Sequence, residues 1–140
     1  MPYFKDAEEV YRFIGGLFEE LARDEEMAPQ LRRTNTVLQY RFSNPQAQIT
    51  VRMKEGEEDV IDFGESALEP EVILTLDADV EHRFWLGKSS PTVALARGQI
   101  KAQGPVAKVL KLVPLVKQAF PRYVRLLEGA GRGDLLEPLR

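Results

Sequence analysis

The chain has no cysteine among its 140 residues. Disulfides, thiolate nucleophiles and cysteine-held metals are therefore excluded. It has a single histidine, His82, and a single tryptophan, Trp85. One imidazole is too few for a multi-histidine metal centre, so no metal ligands are assigned. The net charge of -3 lacks the basic excess that phosphate contacts demand, and no nucleic-acid partner is expected. No apolar run reaches the length of a membrane span, so stable membrane insertion is not expected either. The opening MPYFKDAEEV lacks the apolar core of a signal peptide, and the closing EPLR is not a peroxisomal address. A soluble cytoplasmic protein is the expectation.

What is present suits one domain over residues 1–140, long enough for a single core. Asp6, with Glu9 three residues on, reads as a helix cap. Val10, Ile14, Leu17, Phe18 and Leu21 then recur at helical spacing, widened by Phe13. A short helix or turn around Pro29 follows. Thr36 to Phe42 and Ala47 to Met53 alternate with period two, the mark of half-buried antiparallel strands. Ser43-Asn44-Pro45 is the turn between them, and Gly56 marks the next turn, before Val60 to Phe63. Glu71 to Leu76 is a fourth strand.

Asp77 then caps a helix over Ala78 to Leu86, with Asp79 and Glu81 placing negative charge in its first turn. Gly87 is the expected helix stop. Ser90-Pro91 opens another helix, which Gly98 ends. Gln99 to Gln103 is a fifth strand. The last helical region runs from Val106 to about Glu128, with a kink or break expected at Val113-Pro114 because proline has no N–H to donate. Gly129, Gly131 and Gly133 mark a loose tail over residues 129–140. Strands first and helices after indicate an α+β fold.

Catalytic chemistry is poorly supplied. His82 lies on a short helix among acids, and a solvated face is the expected setting. Ser89 and Ser90 lack a third group to orient an imidazole base. Glu57, Glu58 and Asp59 sit beside a glycine turn and are expected to be solvated. Gly87-Lys88-Ser89 has the residue types of a phosphate loop but follows a helix and lacks the upstream glycine. No catalytic residue and no cofactor are assigned.

The apolar residues are more informative. From Val106 to Leu127 they form an arc wider than the roughly 100° stripe of a surface helix. Such an arc has apolar material on more than one side: sheet plus helix, sheet plus ligand, or sheet plus a second subunit.

The order of motifs from Thr36 to Leu112 resembles the sterol carrier protein type of lipid-binding domain. The resemblance rests on Val72-Ile73-Leu74-Thr75-Leu76, the acids Asp77 and Asp79, then Phe84, Gly87-Lys88, Pro91 and Ala94. It continues through Gly98-Gln99-Ile100-Lys101, Gly104 and Val109-Leu110-Lys111-Leu112. It implies a twisted, five-stranded, mainly antiparallel sheet covered by helices on one face, with an apolar cavity or tunnel. It also implies non-catalytic binding or transfer of a fatty acid, fatty acyl-CoA, sterol or isoprenoid. Relatives of this shape also serve as accessory proteins in bacterial quinone biosynthesis.

On that basis the pocket is expected to be lined by Phe84, Trp85, Ile100, Val106, Val109, Leu110, Val113 and Phe120, over a floor of Leu74 and Leu76. Lys88, Lys101 and Lys108 are expected to be solvated, with a ligand carboxylate or phosphate at the pocket mouth as the alternative. The added helix over 115–128 is expected to close the tunnel or to form a homodimer. The alternative function is a scaffold subunit that uses this helix.

Overall fold

The alternating segments pair into one sheet. β1 (Thr36–Ser43), β2 (Ala47–Met53), β3 (Val60–Phe63), β4 (Val72–Asp77) and β5 (Ile100–Gln103) lie in the order β3-β2-β1-β4-β5. This is a computed structural model, and it describes residues 2–138. The pairing of β1 with β4 is parallel and the other three are antiparallel, so the sheet is mainly antiparallel, as expected. A parallel pair cannot be joined by a tight turn. Here β2, β3 and the segment 64–71 together make the long return.

Register decides which side chains meet. Leu38 stands opposite Val51 and Val72, and Tyr40 opposite Ile49 and Leu74. Side chains alternate along a strand, so these residues share one face with Phe42, Met53 and Leu76. The other face is polar and internally bonded. Gln39 Nε2 donates to Thr50 Oγ1 at 3.0 Å, and Arg41 Nε donates to Gln39 Oε1 at 2.8 Å. One face is therefore apolar, and the helices cover it.

The first helix is continuous from α1 (Ala7–Val10) through a π turn (Tyr11–Gly15) to α2 (Gly16–Arg23). Asp6 Oδ1 accepts the Glu9 N–H at 3.0 Å, while Glu9 Oε1 accepts the Lys5 N–H at 2.8 Å, closing its start from both sides. Val10, Phe13, Ile14, Leu17, Phe18 and Leu21 are all buried. After α3 (Met27–Arg32) and the strands, α4 (Ala78–Trp85) ends as its sequence requires. Gly87 takes φ +77°, its N–H donates to Phe84 O at 2.8 Å, and the Lys88 N–H donates to Arg83 O at 2.8 Å. In α5 (Pro91–Ala96), Ser90 Oγ accepts the Val93 N–H at 3.4 Å. Asp77 stands at the start of α4 but makes no side-chain cap; its carboxylate instead takes the hydroxyl of Ser43 and the amide of Asn44.

Three expectations need correction. The helical break does not fall at Val113-Pro114. α6 runs through Pro114 from Val106 to Val116, a 3₁₀ turn covers Lys117–Ala119, and α7 spans Phe120–Gly129. Pro114 removes one hydrogen bond in the last turn of α6, where the helix is already ending. Pro121 then sits at the start of α7, where a missing N–H is harmless.

Nor is the tail loose over its described residues; Leu139 and Arg140 lie outside them. It forms a 3₁₀ turn, Gly133–Leu136, with Leu135 buried. Arg132 pairs with Glu9 and with Asp134, and its guanidinium lies over the Phe13 ring at 5.4 Å.

His82, expected on a solvated face, is fully buried. Its Nε2 lies 2.7 Å from Leu135 O and its Nδ1 lies 2.7 Å from the Tyr123 hydroxyl. A carbonyl only accepts, so Nε2 carries the proton and Nδ1 accepts from Tyr123. The rings of Tyr3, Phe4 and Tyr123 surround it. His82 thus clasps α4 to α7 and to the tail. Asp79 assists by accepting the Tyr3 N–H at 2.9 Å.

One glycine is dictated by space as well as by backbone. At Gly104, φ is +94°, and an added Cβ would lie 2.1 Å from the Glu71 carbonyl oxygen. Gly104→Ala is expected to destabilise the fold by about 3 kcal/mol or more, read as a lower urea midpoint at unchanged slope.

Candidate functional site

α6 has an unusual composition for its position. Val106, Ala107, Val109, Leu110, Leu112, Val113, Leu115 and Val116 make eight apolar residues in eleven, yet of these only Leu112 is buried. The helix stands off the sheet. Between the two lies a cavity of about 100 Å³. That is several times the roughly 10–15 Å³ that one water needs.

The sheet supplies its floor through Leu38, Tyr40, Val51, Met53, Ile61 and Leu74. Phe18 and Leu21 of α2 and Val80, Phe84 and Trp85 of α4 make one wall. Val106, Val109, Leu110, Val113 and Val116 of α6 make the other, with Pro91, Leu95 and Ile100 at the end. Leu110 is 39% exposed, so this part of the α6 wall is not sealed within the core.

Eight of the ten expected pocket residues stand in these walls: Leu74, Phe84, Trp85, Ile100, Val106, Val109, Leu110 and Val113. Leu76 and Phe120 do not. Leu76 shares the apolar face of β4 but lies two residues further on, where the chain turns into α4 and the core is already closed. Phe120 stands behind the wall, edge-on to Phe84 at 5.3 Å and to Trp85 at 6.1 Å. It positions those two rings without facing the gap. None of Lys88, Lys101 and Lys108 lines the cavity. Lys108 is committed instead, donating to Glu71 at 2.8 Å and to Asn35 O at 3.0 Å.

Several wall residues lay outside the sequence expectation. Phe18, Leu21, Val51 and Met53 come from segments read only as core. Asp59 was expected to be solvated, yet it takes a two-pronged bond from Arg32, Nε and Nη2 each at 3.1 Å, at the cavity edge. Glu81 was read as a first-turn charge that favours the helix dipole. Its side chain instead turns inward, is buried, and borders the cavity. One sequence signal was available: Glu81 and Trp85 are four apart, on one helix face. The indole N–H donates to Glu81 Oε2 at 2.8 Å. Burial pushes the Glu81 carboxyl up to about 7, partly opposed by Trp85 and Tyr40. No ion pair among the described residues involves it.

The aromatic floor is continuous. Tyr40 stacks on Phe42 at 5.5 Å and on Phe18 at 5.4 Å, and Phe18 meets Trp85 edge-on at 5.9 Å. Such rings hold one another in place and give the cavity rigid walls.

This arrangement, a helix-covered five-stranded sheet with a gap under an apolar helix, agrees with the match of residues 17–117 to the SCP-2 sterol transfer family. The chain belongs to that family. Among solved SCP-2 relatives, the sterol carrier protein domain 2 of Helicoverpa armigera is 23% identical, with 81% of this chain and 90% of that one covered and a TM-score of 0.64. UbiJ-SCP2, a ubiquinone synthesis protein, is 21% identical over 85% of this chain and 95% of its own, with a TM-score of 0.59. The Aedes aegypti sterol carrier protein-2 solved with palmitate is 19% identical over 79% and 93%, with a TM-score of 0.52. The SCP-2 fold also occurs inside a larger enzyme. The sec-alkylsulfatase Pisa1 from Pseudomonas sp. is 16% identical with a TM-score of 0.55, and this chain, 63% covered, spans 14% of it. No curated protein matches the sequence. No helix among the described residues is long and apolar enough to cross a membrane.

Proposed function

We propose that this SCP-2 domain binds an apolar lipid between α6 and the sheet and releases it unchanged. The observation that carries this reading is α6 itself, eight of whose eleven residues are apolar while one alone is buried. Apolar surface left facing a gap favours an apolar occupant. Each methylene buried is worth about 0.8 kcal/mol, so ten carbons offer roughly 8 kcal/mol before ordering and association costs. No polar motif is needed for that gain. The palmitate bound by the Aedes aegypti relative and the role of UbiJ-SCP2 in ubiquinone synthesis favour a fatty or isoprenoid chain.

The scaffold alternative drew on the surface of the C-terminal helix. α7 directs Tyr123 and Leu127 into the chain's own core, and Arg122 is paired with Asp24. Little apolar face is left there for a partner, which weighs toward lipid binding.

The test is native mass spectrometry of freshly purified protein, followed by solvent extraction and lipid identification. A stoichiometric apolar lipid is expected. Protein that emerges empty, and that binds neither fluorescent fatty acids nor long-chain alcohols, would overturn the reading.

A further inference from the structure

Glu81 is a buried acidic side chain in the wall of a mainly apolar cavity, and unlike Asp59 at the same cavity it has no cation partner among the described residues. An enclosed carboxyl without a cation is unfavourable. One oxygen, Oε2, takes the Trp85 indole N–H at 2.8 Å. The two oxygens of a carboxylate offer about four acceptor positions, more than the donors supplied by Trp85 and Tyr40 fill. The Tyr40 hydroxyl is a second donor to the carboxylate and, with Trp85, opposes the rise in its pKa. The spare acceptor capacity therefore borders the cavity.

We propose that Glu81 is a specificity-determining residue that receives a hydrogen-bond donor on the buried head of the ligand, a hydroxyl or an ammonium, and disfavours a chain that enters carboxylate-first. This rests on the lipid-binding reading above and deepens it. The chemistry follows from the charge: an alcohol or ammonium completes the acceptor's bonds, while a second carboxylate brings like charge into an apolar enclosure. Trp85 has the supporting part. Its ring is 2% exposed, and its N–H fixes the carboxyl's orientation from the next turn of the same helix. At pH 8 the carboxyl, with its pKa at about 7, is ionised and acts as acceptor only.

The experiment compares delipidated protein with Glu81→Gln at pH 8, using 1-dodecanol, dodecylammonium and laurate as competitors of one fluorescent lipid. Native protein is expected to bind the alcohol and the ammonium at least tenfold more tightly than laurate. Glu81→Gln keeps an oxygen for the Trp85 N–H but presents an amide N–H₂ to the cavity, so the ratio should fall below threefold. If the variant does not fold, the ratio in the native protein decides alone. Equal binding of all three, or tighter binding of laurate, overturns the proposal while leaving the lipid cavity intact. A ratio that survives Glu81→Gln in a folded variant also overturns it. Failure of all three to bind removes the cavity reading, and this proposal with it. A preference for ammonium over alcohol would assign the cation as the natural head, and the reverse would assign the hydroxyl.

Discussion

Replacing Leu110 with aspartate is expected to leave the SCP-2 domain folded while lowering its affinity for a long-chain lipid by roughly tenfold to a hundredfold. Leu110 is 39% exposed and stands on the cavity side of α6, so the core does not depend on it. A carboxylate there can keep water in the apo protein at little expense. Once a lipid fills the gap, the charge lies against alkyl chain and loses that water. The penalty thus falls on the complex rather than on the fold. Val93→Asp is the matched control, because Val93 is 45% exposed and lies outside the α6 cavity. Titration of a fluorescent fatty acid into both variants, alongside their thermal unfolding, checks the expectation. Unchanged affinity in folded Leu110→Asp would place the ligand elsewhere.

The second large effect belongs to stability. His82→Ala is expected to destabilise the fold by about 3 kcal/mol, since it empties a buried site and strands the Tyr123 hydroxyl and the Leu135 carbonyl. The pH profile gives a sharper signature. Burial pushes the His82 pKa down from 6.5 to about 4. Between those values the unfolded chain takes up a proton that the folded chain refuses. Stability is therefore lost as pH falls from 6.5 to about 4, by about 3 kcal/mol in full.

Glu81 acts in the opposite sense. Its pKa rises from 4.5 to about 7 on folding, so the folded chain takes up the extra proton and stability is lost as pH rises across that window. The two slopes oppose each other between pH 4.5 and 6.5, and their joint contribution there is nearly flat. In His82→Ala the compensation is gone, and urea stability should climb steadily as pH falls from 7 to 4.5. A profile parallel to that of the native protein would show that His82 does not titrate in this way.

Both effects trace to residues whose surroundings local sequence does not describe. His82 and Glu81 are adjacent on α4, and the acids around them suggested a wet surface. Their burial depends on α7 and the tail arriving from more than 40 positions away, and on Tyr40 and Phe18 facing α4 from the sheet and the first helix. The tail gave no periodic signal because a single leucine, Leu135, anchors it. The same limit explains Leu76 and Phe120. Period and apolar character put them on the correct faces, but not at the correct height relative to the gap.

Local chemistry was sufficient elsewhere. Alternation along Ala47–Met53 defined a half-buried strand, Gly87 ended α4, and Ser90-Pro91 began α5 because those backbone positions demand those residue types. The order of these elements sufficed for the α+β class, and the breadth of the apolar arc from Val106 to Leu127 marked this region as more apolar than a surface helix needs. Sequence alone determined the strands, most helix ends and the apolar character of α6, since each follows from interactions a few residues apart. Tertiary structure decided that α6 stands off the sheet, that a carboxyl borders the gap, and that the lone histidine is a buried clasp. Those depend on the distances between elements, and such distances are set by the packing of side chains far apart in the chain.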